Sequence, residues 1–134
     1  MAARDKYHEV IKQALIKKSY KMDKVIKYKK MVKRIIEQII EREESYNPPI
    51  DYVFIKDEKQ GHYLVFLDGC VDNTVVYNLV IHVEVKKNGR VWLKHDGTEY
   101  EVGQLLLDNG LPKSDLVVGW LSPLERSWTD FAVA

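Results

Sequence analysis

The spacing of apolar residues changes along the chain, and each change marks an element. Residues 1–47 contain no Gly or Pro. Tyr7, Val10, Ile11, Ala14 and Leu15 recur at helical spacing, as do Val25, Tyr28, Val32, Ile35, Ile36 and Ile39. A polar run over residues 17–21 separates the two sets without a strong breaker. Two readings follow. Asp23 caps a second helix, or one helix runs from about Arg4 to about Glu43. Leu15, Met22, Val25, Val32, Ile36 and Ile39 stay in phase at steps of three, four or seven, which favours the single helix. At 1.5 Å per residue it is on the order of 60 Å long. That exceeds a globule of this size, so the N-terminal half projects, and an apolar stripe in water calls for a partner. The second half, residues 25–40, is expected to lie on a sheet. The run Ser45-Tyr46-Asn47-Pro48-Pro49 ends the helix, because proline pushes the residue before it out of the α region.

Beyond the prolines the period becomes two. Ile50, Tyr52 and Phe54 alternate with Asp51, Val53 and Ile55, so residues 50–56 read as a strand. Residues 57–61 read as a turn, 63–67 as a strand and 68–73 as a loop. Residues 75–95, VVYNLVIHVEVKKNGRVWLKH, read as a hairpin bent at Asn88-Gly89, a dipeptide suited to a two-residue loop. That turn sets Val85 opposite Trp92, Glu84 opposite Leu93, Val83 opposite Lys94 and His82 opposite His95. Tyr77, Leu79, Ile81, Val83, Val85 and Trp92 then form one apolar face. Val76, Asn78, Val80, His82 and Glu84 share the other with Val91, Leu93 and His95. Asp96-Gly97 is a turn, residues 102–107 a short helix stopped by Gly110, residues 112–115 a further turn or short helix and 116–120 a strand. The tail, 122–134, is expected to lie across the body through Trp128 and Phe131. The expected fold is α+β: an antiparallel sheet of about five strands, covered on one face by a long N-terminal helix, plus one short helix.

Composition narrows the class. A chain of 134 residues fits one domain and buries enough surface for a core without metal or disulfide staples. Cys70 is the only cysteine, so no internal disulfide forms, which fits a reducing, cytoplasmic compartment. No apolar run is long enough to span a bilayer, and the charged N-terminus does not resemble a signal peptide. The net charge of +1 conceals a polarity. Residues 1–44 carry 13 Lys or Arg against 7 Asp or Glu, and residues 45–134 carry 8 against 13. The front charges are interspersed, so a solvated helix face is favoured over nucleic-acid contact.

Three groups are candidates for chemistry. The expected register brings His82, Glu84 and His95 onto one face, where two imidazoles and a carboxylate would bind zinc; the competing reading is a hydrogen-bonded sheet face. Lys17, Lys18, Lys21, Lys24, Lys27 and Lys30, with Lys12, Lys29, Lys33 and Arg34, would neutralise phosphates, although a pI near 7.8 is low for a DNA reader and arginine is scarce. Cys70, beside Asp68 and Asp72, reads as an inert thiol, since acidic neighbours disfavour the thiolate. Trp120, Trp128 and Phe131 read as core. No phosphate loop, dinucleotide fingerprint or nucleophile elbow is present, and no cofactor is expected.

Tyr77-Asn78-Leu79-Val80-Ile81-His82-Val83-Glu84-Val85, Trp92 and Asp96-Gly97-Thr98-Glu99 carry a resemblance. So do Leu111-Pro112-Lys113, Asp115-Leu116-Val117-Val118-Gly119-Trp120, Pro123, Arg126, Thr129, Asp130 and the closing Phe131-Ala132-Val133-Ala134. From Met22 on, the chain resembles the fdxN element excision controlling factor, or XisI-like, family. It departs from the family pattern at Cys70, where an aromatic is expected, and at Leu124, where a proline is. Residues 1–19, through Ala3-Arg4-Asp5-Lys6-Tyr7-His8-Glu9-Val10, Ala14, Leu15 and Lys17, resemble the first helix of the partner XisH-like family, whose members resemble restriction-type endonucleases. The chain therefore divides into an extra helical segment, 1–21, and a XisI-like domain, 22–134. The resemblance implies a non-enzymatic accessory protein in DNA element excision. It would bind a XisH-like partner through Tyr7, Val10, Ile11, Ala14 and Leu15, self-associate into a homo-oligomer, and meet DNA indirectly. The alternatives are a direct DNA-binding factor using the Lys-rich helix and a small metal-dependent enzyme.

Overall fold

The computed structural model describes residues 2–46 and 49–134, with side chains from Lys6 onward. One helix, α1, runs without interruption over Ala2–Glu44, so Asp23 caps nothing. The expected break at Asn47-Pro48 lies outside the described residues.

Five strands follow: β1 (Ile50–Asp57), β2 (His62–Val71), β3 (Thr74–Val85), β4 (Val91–Asp96) and β5 (Leu116–Val118). They lie side by side in chain order. The first four pair antiparallel. The last pair, β4 and β5, is parallel, so the sheet is mixed rather than wholly antiparallel. The reason is the connection: a second helix, α2 (Val102–Asp108), carries the chain back before β5 begins, as parallel neighbours require. Helix α2 ends in a Schellman motif, with Gly110 N–H bonded to Leu107 O and Leu111 N–H to Leu106 O.

The core lies between α1, α2 and the inner face of the sheet. Val32, Ile35, Ile36 and Ile39 from α1 pack with Ile81, Val83, Val85 and Val91, and all are buried. Each should contribute roughly 1.5–3 kcal/mol. Lid and sheet thus meet as their periodicities require.

The hairpin is built differently from expectation. Val85 pairs with Val91, Glu84 with Trp92, and Val83 with Leu93; only His82 opposite His95 agrees with the expected register. The loop has three residues, not two. Gly89 N–H bonds to Lys86 O and Lys86 N–H to Arg90 O, and only Gly89, at φ 86°, is left-handed. That is the turn-plus-bulge alternative open to an Asn-Gly pair. The two-residue turn with both central φ positive occurs instead at Asp72-Asn73, joining β2 to β3 where a long loop was expected.

Val91 and Leu93 consequently face the core, and Trp92 lies on the outer face beside Glu84. Two bulges complete the change. One on β4 at Lys94 absorbs the slip between His82 and Val83. The other, at Val80 on β3, turns two successive apolar residues, Val80 and Ile81, inward. Tyr77 and Leu79 then pass to the outer face instead of sharing the inner one with Ile81.

The tail differs too. Ser122 caps an unexpected short helix, α3 (Pro123–Ser127), in a complete capping box with Glu125. Phe131 packs on the core, but Trp128 is 74% exposed and Trp120 is exposed as well, so neither is core.

Candidate interaction surfaces

Helix α1 presents two environments along one stripe. From Tyr28 onward its apolar side chains are covered by the sheet. From Lys6 to Asp23 every side chain is exposed, including Tyr7 (66%), Val10, Ile11, Ala14 and Leu15 (62%). The segment docks on no part of its own body. Its positions nonetheless continue the lid's seam. Tyr7, Ala14, Lys21, Tyr28 and Ile35 fall one heptad apart, as do Ile11, Lys18, Val25, Val32 and Ile39. Two lysines therefore interrupt the seam at the root of the arm, while Glu9 and Asp23 fall on the reverse side of the helix.

The lysines do not act as one group. Lys17, Lys18 and Lys21 line a groove of about 700 Å³ with Met22, Val25 and Lys87, and Lys29 also borders it. Lys27 and Lys30 line a separate depression beside Asn109. Lys24 is committed: its Nζ lies 2.7 Å from Asp115 Oδ2.

Asp115 fixes where the arm leaves the body. It is 2% exposed and also accepts hydrogen bonds from Tyr28 Oη at 2.5 Å and Arg90 Nη1 at 2.7 Å. Burial alone would raise its pKa, but the hydrogen bonds and charges of Lys24, Tyr28 and Arg90 outweigh it and hold the carboxyl below its ordinary value. Tyr28 moves the other way, its hydroxyl pushed up by burial and by the bond to Asp115. No charge pattern in the sequence reveals this cluster, because its members lie on α1, the hairpin and the turn before β5.

At the far end of the lid, the hydroxyls of Tyr52 and Tyr100 both donate to Glu43. They border a cavity of about 570 Å³ floored by Val65, Val80 and Ile81. The bond to Glu43, with burial second, pushes the Tyr100 pKa up to about 12.

The sheet's outer face carries no helix over β1–β3. Strand alternation and pairing arrange it in rows: Asp51, Asp68 and Tyr77; Val53, Phe66 and Leu79; Ile55, Leu64 and His82; Asp57, His62 and Glu84. The two middle rows are apolar apart from His82, and the end rows hold the carboxylates. Ile55 is 46% exposed, and Val53 and Tyr77 are exposed too. Cys70, also exposed, sits on this face beyond Asp68. Over β4 the face is different. Trp92 lies beneath Lys86 Nζ, 4.1 Å from its ring centre, and Arg126 Cζ, 4.8 Å away.

The metal candidates separate here. His82 Nε2 meets His62 Nδ1 at 3.0 Å, and Glu84 is bridged to Lys94 at 3.1 Å, while His95 is exposed. Among the described residues no three His, Cys, Asp or Glu side chains converge as a metal site. His62 joins this group because β2 begins at His62, one residue before the strand start that the sequence pattern marks. Desolvation, then the neighbouring His62 and Lys94, lowers the His82 pKa against the opposing pull of Glu84.

The structure is thus a lidded α+β body with an exposed helical arm and an outer sheet face that no helix covers over β1–β3. The chain belongs to the XisI protein family, which matches residues 22–133. The fold is shared with solved structures, including two from one organism. The fdxN element excision controlling factor XisI from Anabaena variabilis is 25% identical, with a TM-score of 0.70 over 83% of this chain and 99% of that one. A XisI-like protein from the same organism is 27% identical, with a TM-score of 0.74 over 82% and 99%. No curated protein matches the chain. Among the described residues no helix is long and apolar enough to cross a membrane.

Proposed function

We propose that this chain is an accessory, regulatory protein of DNA element excision that works by binding rather than catalysis, and that its partner is a XisH-like protein of nuclease fold. The observation that carries the reading is the arm. Its apolar stripe, Tyr7, Val10, Ile11, Ala14 and Leu15, has no cover within the chain, yet continues the seam by which α1 binds its own sheet. Membership of the XisI family and likeness to an excision controlling factor support the process. The test is co-purification of the chain with a XisH-like protein, beside an Ile11→Asp, Leu15→Asp variant. Capture by the native chain and its loss in the variant is the expected result.

A second reading rests on the groove where Lys17, Lys18, Lys21, Lys29 and Lys87 gather. Direct DNA binding there would fall steeply with salt, the slope reflecting about one counterion per lysine engaged. A mobility shift over a salt series separates the two readings.

A further inference from the structure

We propose that the arm of one copy docks across the outer sheet face of a second copy. The proposal deepens the reading of the arm as a docking element by giving it an occupant, and its test uses the purified chain alone, so it stands or falls apart from the XisH-like partner.

Shape comes first. The arm from Lys6 to Met22 is about 25 Å long and about 10 Å across. The uncovered face of β1–β3 is about 14 Å wide, at 4.8 Å per strand, and about 30 Å along the strands. The inner face of the same sheet already accepts a helical segment of this length, through the same seam.

Charge selects the occupant. An arm pairing with an arm would set Lys18 and Lys21 against the same lysines if parallel, or against the apolar Tyr7 and Ile11 if antiparallel, and Glu9 and Asp23, on the reverse faces, relieve neither arrangement. The outer face offers the opposite. Its apolar rows end in carboxylates, and no Lys or Arg side chain of β1, β2 or β3 lies on it. At one end Glu84 is already paired with Lys94. At the other, Asp51 and Asp68 stand side by side with no ion pair among the described residues. Polarity follows. Tyr7, Ile11, Ala14 and Leu15 cover Val53, Ile55, Leu64 and Phe66, and the Lys17–Lys21 root meets Asp51 and Asp68. One helix covers less than the roughly 800 Å² per partner of a standard interface. With this polarity the second copy's own straight arm points onward, away from the first, so the contact runs head to tail, each copy giving one arm and receiving one.

Sedimentation over a concentration series should show association that grows with concentration. Leu15→Asp on the arm and Ile55→Asp on the sheet should each weaken it at least tenfold, with circular dichroism unchanged. A native chain that stays monomeric across the series, or undiminished association of folded Ile55→Asp, overturns the proposal. Cross-linking reads the same contact without touching the sheet, because Cys70 lies beside Asp68. With a short bismaleimide, Met22→Cys should link to Cys70 of another copy, and His8→Cys should not. Absence of the Met22→Cys link, or a link from His8→Cys instead, overturns the pairing.

Discussion

Residues 25–44 and residues 6–22 share one helix and one kind of apolar stripe, yet meet opposite surroundings. In the first stretch Ile36 is fully buried and Val32, Ile35 and Ile39 nearly so. In the second, Leu15 is 62% exposed. The difference teaches that an apolar seam specifies a helix without specifying what covers it. The lid half is held by the sheet. The arm half is held by continuity, because a growing helix adds a turn cheaply once its first turn exists.

Truncation is the sharpest way to break this contrast. Ile36→Ala should cost about 2–5 kcal/mol in a denaturant melt of the whole chain, since it leaves a cavity in the core. Loss of the junction comes next. Asp115→Asn strips the counter-charge from Lys24 and Arg90 and should cost about 3 kcal/mol, the low end for a broken buried pair because both cations are partly wet. Limited proteolysis should then cut near Lys21 and Lys24 sooner than in the native chain.

Acid should loosen the body in two steps. His82 has a lowered pKa in the folded sheet, so the unfolded chain binds its proton first. Stability therefore falls as pH drops below about 6.5, the ordinary histidine value, towards the folded pKa. The Asp115 carboxyl is also lowered, and its contribution, present above the ordinary aspartate value, is lost as pH falls through the folded pKa. Denaturant midpoints at pH 7.5, 5.5 and 3 follow both steps, and His82→Gln should flatten only the first. Smallest of all, Leu15→Ala should shift the midpoint of the dilute monomer by less than about 0.5 kcal/mol, as for other exposed sites. A loss equal to that of Ile36→Ala would abolish the distinction between the halves.

Much of the architecture was legible because periodicity is a strong signal. The absence of Gly and Pro through residue 47, and then strict alternation over 50–56, located α1 and β1 closely. The hairpin was misread because Asn-Gly serves two loop lengths. What decided between them was burial: pairing Val85 with Val91 puts Val91 and Leu93 inside, whereas the shorter loop would have buried Trp92. The bulge at Val80 was hidden for a similar reason. Alternation cannot register two neighbouring valine or isoleucine side chains turned to the same side. The Ser122 cap was readable, since Ser-Pro-Leu-Glu is a helix-start pattern, but the aromatics after it drew the reading towards burial. The Asp115 cluster and the His62–His82 contact depend on residues far apart in the chain, which spacing alone does not bring together.

The unbroken course of α1 has a mechanical corollary. With no hinge between lid and arm, the azimuth of Tyr7 and Leu15 is keyed to that of Ile36 like the teeth on a shaft. One extra residue after Lys21 would swing the arm's greasy side by about 100°, and seven would bring it nearly home one notch farther out. Whatever the arm touches is thus selected not only by its own side chains but by the count of residues separating it from the core.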